Sequence, residues 1–234
     1  MKTLFKNLAS ELKIELTDEQ INRFFKYKKL LVETNKYMNL TTITEDRDII
    51  LKHFIDSLTI NQYIENEKKL IDVGTGAGFP GVPIKIIRDD VEITLLDSLN
   101  KRLNFLNTVI DELKLKKINT IHGRAEDVAH FNEYREQFDY VTARAVANLA
   151  TLSELCIPFL KVGGIFICMK ANIEEEIENA KNAVKILGAE IIAIDQCILP
   201  ESNIERNIIL IKKVKNTLSN YPRKAGLPAK FPLK

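Results

Sequence analysis

Three glycines spaced two apart, Gly74, Gly76 and Gly78, close the apolar run Leu70–Val73 and lead into Phe79-Pro80-Gly81. No other feature of the chain narrows the possible folds as much. Glycine turns without a Cβ clash and lets a backbone come close to a ligand, so an apolar run ending this way reads as a strand, a binding loop and a helix start. Pro80 stands near that helix start, where its missing N–H costs little. Asp97 ends the next apolar run, 19 residues after Gly78. A carboxylate there is placed to accept hydrogen bonds from both hydroxyls of an adenosine ribose.

Two ligand classes fit so far. Gly76 to Gly81 also satisfies GxGxxG, so a dinucleotide cofactor has to be weighed. Asp72, just before the loop, argues against it: a carboxylate facing the ligand opposes a pyrophosphate and favours the ammonium and sulfonium of S-adenosylmethionine (AdoMet). A phosphate-binding P-loop is excluded, because no Gly-Lys-Ser/Thr follows. AdoMet is the favoured ligand, with Asp72, Gly74, Gly76, Gly78 and Asp97 as candidates to hold it.

Around this loop the chain alternates short apolar runs with helical stretches, the mark of βα units on a mostly parallel sheet. The strand-like runs are Leu70–Val73, Ile93–Leu96, Ile118–Ile121, Tyr140–Ala143 and Ile165–Met169. Helices are expected over Pro83–Arg88, Leu99–Leu115, near Phe131–Arg135, and over Leu149–Leu160 and Ile173–Leu187. Glu190–Leu199 and Asn207–Val214 follow with no helix between them and must pair antiparallel. The expected architecture is a Rossmann-like α/β sheet of seven strands, mostly parallel, with a C-terminal antiparallel hairpin. Such a pattern is that of the AdoMet-dependent methyltransferases. Residues 1–66 read as a helical lobe packed on this core: Thr17 and Gln20 fit a capping box, and Asp46 can cap a second helix. Residues 67–234 form the cofactor-binding domain, ending in an irregular segment punctuated by Pro222, Pro228 and Pro232.

A chain of 234 residues, 45% hydrophobic and 28% charged, has the composition of one globular unit. Its longest apolar run, Ile165–Met169, is far short of a membrane span, and the N-terminus lacks the continuous apolar core of a signal peptide. A cytoplasmic enzyme is expected, without membrane association. Cys156, Cys168 and Cys197, widely spaced beside only three histidines, suit neither a disulfide framework nor a metal site. They read as buried thiols. The net charge is only +2, yet Asn207–Lys234 holds seven basic residues and no acidic one, which suggests a local contact with phosphates.

At the glycine loop and at four further segments the chain resembles the bacterial small-subunit ribosomal RNA guanine-N7 methyltransferases, also called glucose-inhibited division protein B. The segments are Asn35-Lys-Tyr-Met-Asn-Leu-Thr41, Lys52-His-Phe-Ile-Asp-Ser-Leu58, Asp72–Gly81 continuing to Leu95–Arg102, Thr142-Ala-Arg-Ala145, and Tyr221-Pro-Arg-Lys-Ala-Gly226. The resemblance implies methyl transfer from AdoMet to N7 of one guanine in 16S rRNA, with the rRNA or the small subunit as partner. It also implies that Gly74 and Phe79 contact the cofactor, that Ala125 and Glu126 contact its adenine, and that Arg144 lies at the cofactor site.

Guanine N7 has an in-plane lone pair and can attack a sulfonium methyl without losing a proton, so no general base is required. Catalysis then rests on alignment in a dry site. Arg144 and Asn39 are candidates for positioning, and Asn39 equally suits the end of a helix. His53, among apolar neighbours, reads as a packed or hydrogen-bonded structural histidine; His122 and His130 read as surface or loop residues. Six cations near strand ends or in the tail are expected to meet RNA phosphates: Lys101, Arg102, Lys170, Arg206, Arg223 and Lys224. No metal is expected, and nothing demands a partner chain, so a monomer is the expectation.

Overall fold

The computed structural model describes residues 1–144, 147–171 and 173–234. Ala145, the last residue of the Thr142–Ala145 segment, lies outside them.

The N-terminal third is helical, as its apolar spacing requires. Helix α1 runs Lys2–Glu11 and α2 Asp18–Met38; α2 opens on the predicted capping box, with Thr17 Oγ1 accepting from Gln20 N and the Gln20 side chain accepting from Thr17 N. Next come α3 (Asp46–Ile49), a π-helical turn (Ile50–Ile55) and α4 (Asp56–Leu58). Asp46 is inside the first turn rather than capping it; its carboxylate is held 2.7 Å from Lys28 Nζ.

Then β1 (Lys69–Val73), α5 (Gly81–Ile87), β2 (Glu92–Asp97), α6 (Asn100–Leu113), β3 (Ile118–His122), α7 (Ala125–Val128) and β4 (Phe138–Ala143) alternate. They are followed by α8 (Leu149–Cys156), β5 (Leu160–Lys170), α9 (Glu174–Ile186), β6 (Ala189–Ile198), β7 (Glu205–Lys213) and a short α10 (Leu227–Lys230). The seven strands form one sheet in the order β3-β2-β1-β4-β5-β7-β6. The first five are parallel, and β7 runs antiparallel to both β5 and β6. This is the expected class I methyltransferase sheet. The last strand does not lie at the edge; it is inserted between β5 and β6.

The helix expected near Phe131–Arg135 forms earlier, at α7. Gly123 turns the chain directly after β3, its N–H donating to Asp97 O, and the helix starts two residues later. Residues 131–135 form turns instead, and the Arg135 guanidinium is spent on the carbonyls of Ala129, Thr217, Leu218 and Tyr221.

Each face of the sheet has its own core. On one, α1, α2 and the π turn pack with α5 and α6 through an aromatic cluster: Phe5 and Phe24 meet edge to face at 4.8 Å, Tyr27 stacks on Phe54 at 5.7 Å, and Tyr27 lies 5.4 Å from Phe79. Such pairs add stabilisation beyond their buried area, about 0.5–1.5 kcal/mol each. On the other, α7, α8 and α9 cover the sheet. Cys156 and Cys168 are buried there as free thiols, and burial pushes the Cys168 thiol up to about 12.

Three carboxylates receive cations from much later in the sequence. Asp56 is bound by Arg206 at 2.8 Å, Glu136 by the fully buried Lys213 at 2.7 Å, and the buried Glu154 by Arg223 at 2.7 Å.

Candidate functional site

The carboxyl ends of β1, β2 and β4 meet at the glycine loop. Gly74 N and Thr75 N donate to Leu96 O at 2.9 and 3.0 Å, so the loop is tied to the end of β2. All three glycines have φ between +62° and +100°, the left-handed region that side chains disfavour. Their surroundings differ. A Cβ on Gly74 would meet nothing within 4 Å and one on Gly76 only a carbonyl at 3.9 Å, whereas one on Gly78 would strike Leu106, Val82 and the Tyr27 hydroxyl at 2.7–2.8 Å. Gly74 and Gly76 thus face open space, and Gly78 is a packing glycine that lets α2 and α6 close on the loop. The Tyr27 hydroxyl donates to Ala77 O and fixes the loop from below.

Asp72 does not face a ligand. Its Oδ2 accepts from Thr75 Oγ1 at 2.7 Å and from Gly81 N at 3.0 Å, so it braces the loop internally. Its Oδ1 is buried without a hydrogen-bond partner among the described residues. Burial outweighs the two donors and raises its pKa to about 6. The physical reason is local: the chain returns over β1 at Gly81, whose Cβ would lie 2.9 Å from that carboxylate. The contrast with a pyrophosphate site drawn from Asp72 therefore loses its geometric basis.

Asp97 is where the spacing put it. Its Oδ2 accepts from Gly76 N at 2.9 Å and Arg102 Nη1 at 3.2 Å, and its Oδ1 from Leu99 N at 2.9 Å. A carboxylate oxygen has capacity for two acceptances, so Oδ1 retains one. Ala125 and Glu126 open α7 just beyond β3, and Glu126 Oε1 accepts from Gly226 N of the C-terminal segment at 2.9 Å.

Arg144, past the end of β4, is the centre of a second cluster. Its Nη1 donates to Lys52 O at 3.0 Å and Asp56 Oδ2 at 3.2 Å, its Nη2 to His53 Nδ1 at 3.0 Å, and its plane lies 4.9 Å from the centre of the Phe79 ring. A guanidinium only donates, so His53 Nδ1 is the acceptor and the ring proton sits on Nε2, which donates to Thr41 Oγ1 at 2.8 Å. Burial first, and the Arg144 charge second, lower the His53 pKa to about 3. His53 is the hydrogen-bonded structural histidine expected, stacked 4.4 Å from Phe79. Phe79, expected against the cofactor, is buried in this stack. Lys52 and His53 both lie in the π-helical turn, so this one turn supplies two of the three groups that hold the guanidinium. Asn39 ends α2 in the left-handed conformation (φ 51°), exposed, which is its helix-end reading. The amide that organises this stretch is Asn35, whose Oδ1 accepts from Leu40 N and Thr41 N and whose Nδ2 donates to Thr41 O.

Asp56 is buried between Arg144 and Arg206. With Ile43, Lys52, His53, Met169 and Lys170 they line a cavity of about 360 Å³. A larger cavity of about 690 Å³ between α9 and β6 is lined by Ile177, Val184, Ile191 and Ile194 and by no residue of the glycine loop.

The structure revises the expected RNA contacts. Arg102 pairs with Asp97, Lys170 is buried against Glu176 (2.7 Å) and Ala147 O, Arg206 pairs with Asp56, and Arg223 forms a bidentate pair with Glu154. Each cation is held by a carboxylate or carbonyl inside the fold. Lys101 and Lys224 are exposed, as is Arg124 beside α7, a cation that no strand-end or tail pattern singles out. His130 is an exposed turn residue, as expected, and its Nε2 meets Pro222 O at 2.9 Å. Among the described residues no group of three His, Cys, Asp or Glu side chains is arranged to hold a metal ion, and no helix is long and apolar enough to cross a membrane.

A family model described as rRNA small subunit methyltransferase G matches residues 20–209. The Ribosomal RNA small subunit methyltransferase G of Alkaliphilus oremlandii is 52% identical over 237 residues, covering 100% of this chain and 99% of its own. That of Acetivibrio thermocellus is 54% identical over 226 residues, covering 96% and 93%. Among solved structures, M. jannaschii TYW2 in complex with AdoMet superposes with a TM-score of 0.57 at 17% identity, over 74% of this chain and 80% of that one, which shows a shared fold.

Proposed function

The chain belongs to the rRNA small subunit methyltransferase G family, and from that premise we propose that it transfers a methyl group from AdoMet to N7 of a guanine in 16S rRNA. One observation carries the cofactor half of this reading: two of the three loop glycines face open space at the strand ends, beside a carboxylate with remaining acceptor capacity. Those residues fit AdoMet. Gly74 and Gly76 would lie along it, Asp97 would take its ribose, and Ala125 and Glu126 its adenine. Bound there, AdoMet supplies an electrophilic methyl on a sulfonium.

The residues of the chain then have three tasks. The bonded loop and Asp97 present a rigid cradle, so little ordering is left to the reaction itself. Arg144 and Arg206 share one carboxylate, which leaves a surplus of positive charge in the cavity of about 360 Å³. That surplus suits a phosphate of the target nucleotide, whose negative charge would balance it and so limit its opposition to the positive charge that grows on the base. His53, neutral and accepting from Arg144, fixes the guanidinium and takes no proton from the substrate. Lys101, Arg124 and Lys224 would meet RNA phosphates further out.

We extend the proposal to a cytoplasmic location, which an rRNA substrate supports, and to a metal-independent monomer. Light scattering and activity in the presence of a chelator test the last two statements. The function itself is tested by transfer of tritium from labelled AdoMet to small subunits lacking the modification, with mass-spectrometric mapping of the product. Label on guanine N7 of 16S rRNA is expected. Stabilisation by NAD but not by AdoMet in thermal melts, with no label transferred, would overturn the reading.

A further inference from the structure

The C-terminal segment is basic and was expected to bind RNA, yet most of its polar groups are committed to the protein. Glu154 on α8 is fully buried and accepts from Arg223 four ways: from the backbone N at 2.7 Å, from Nε at 2.9 and 3.2 Å, and from Nη2 at 2.7 Å. Arg223 Nη2 also donates to Phe231 O at 2.7 Å, closing residues 223–231 into a loop. Pro222 O is held by His130, Tyr221 O by Arg135, and Pro228 O by Thr151 Oγ1. This laced segment reaches the opening of α7 at Gly226, left-handed at φ 86°, whose N–H donates to Glu126 Oε1 at 2.9 Å.

We propose that Arg223 is a positioning residue of the cofactor site: clasped on Glu154, it delivers the Gly226 amide to Glu126 and so sets the Glu126 carboxylate for AdoMet. This rests on the assignment of Glu126 to the adenine end of the cofactor made above. A carboxylate at the start of a four-residue helix has several rotamers open to it, and a charge-assisted bond from a fixed backbone amide selects one. Arg223 can hold that amide because its fork engages both carboxylate oxygens and its own backbone adds a further bond. A lysine would hold Glu154 through a single point charge.

The inference reverses what charge alone implies. Arg223, a cation in a basic tail, serves the small molecule, while its exposed neighbour Lys224 is left for the RNA. Steady-state kinetics on small subunits test it with Arg223→Ala, Glu126→Ala, the double variant and Arg223→Lys, each checked for folding by its thermal melt. The expected result is a KM for AdoMet raised about tenfold in either single variant, the worth of one hydrogen bond to a charged group. The loss falls on KM for AdoMet rather than on kcat or the KM for RNA, the double variant is no worse than the worse single, and Arg223→Lys is intermediate. Should Arg223→Ala fail to fold, Arg223→Lys carries the same test. An unchanged KM for AdoMet with a raised KM for RNA would overturn the inference. So would fully additive losses in the double variant. Wild-type protein that transfers no methyl group from AdoMet would instead overturn the function on which it rests.

Discussion

The two kinds of glycine in the binding loop can be separated by adding one methyl group at a time. At Gly74 a Cβ meets nothing within 4 Å, so Gly74→Ala carries only the cost of a left-handed backbone at φ 70°. That cost is about 1–2 kcal/mol. At Gly78 the backbone cost is similar, but the methyl also strikes Leu106 Cδ2, Val82 Cγ2 and Tyr27 Oη at 2.7–2.8 Å, from helices that are themselves packed. Overpacking of that kind adds about 1–3 kcal/mol, so Gly78→Ala should cost about 2–5 kcal/mol in all. At about 2–4 °C per kcal/mol for a chain of this size, Gly74→Ala should lower Tm by about 2–8 °C and Gly78→Ala by about 4–20 °C. Affinity should separate the pair in the opposite sense. Below its melting temperature Gly78→Ala should keep measurable AdoMet binding, while Gly74→Ala, whose methyl occupies the face left to the ligand, should weaken it by at least about tenfold, or 1.4 kcal/mol. Differential scanning calorimetry and AdoMet titration calorimetry on both variants are sufficient. Normal AdoMet affinity in Gly74→Ala, or a wild-type Tm in Gly78→Ala, would refute the assignment of the two faces.

The revised charge assignments give further expectations. Lys101→Ala with Lys224→Ala should flatten the salt dependence of RNA binding by about two units of slope on logarithmic axes while AdoMet titrations stay unchanged; an unaltered slope removes both lysines from the interface. Arg102→Ala should do the reverse, weakening AdoMet by loosening Asp97, and a normal AdoMet isotherm would show that the pair is ornamental to the site. His53 predicts a pH effect. Its pKa is about 3 when folded against 6.5 for a free histidine, so between those values the unfolded chain holds a proton that the native protein lacks, and stability falls as pH falls. Asp72 acts oppositely: its folded pKa of about 6 against 3.8 gives a contribution present in acid and lost as pH rises through 6. Relative to wild type, His53→Asn should therefore gain stability steadily as pH drops from 6.5 toward 4, read by urea unfolding at several pH values. Parallel pH curves would exclude a buried neutral His53.

What the amino-acid order made legible is what depends on near neighbours. The Thr17–Gln20 capping box, the alternation of apolar runs with helices, and the pairing of the last two strands each rest on contacts within a few residues or on a missing helix between strands. The glycine spacing and Asp97 were legible for the same reason, since one loop and one strand end fix them both. The partners of the cations were not. Arg206 meets Asp56 across 150 positions and Arg223 meets Glu154 across 69, and no local pattern says that these carboxylates are buried. Charges counted along the chain therefore read as free surface when four of six were spent inside. Asp72 failed differently. Its position was right and its direction was not, because the return of the chain at Gly81 decides which side of β1 the carboxylate serves. Arg124 carried no signal that distinguished it from an ordinary polar residue, and Asn35 carried none beyond its place in the segment Asn35–Thr41.

The late cations also bear on how the protein is made. Asp56, Glu136 and Glu154 leave the ribosome long before Arg206, Lys213 and Arg223 do. Until those arrive, a nascent chain that collapsed to its final shape would bury Glu154 without Arg223, at a cost of several kcal/mol, and would leave Asp56 to Arg144 alone and Glu136 without Lys213. The fold therefore gains the full stability of these pairs only once synthesis has passed Arg223. A chain that stopped before Arg206 would lack all three cations and lie more open to proteolysis than one that carries them.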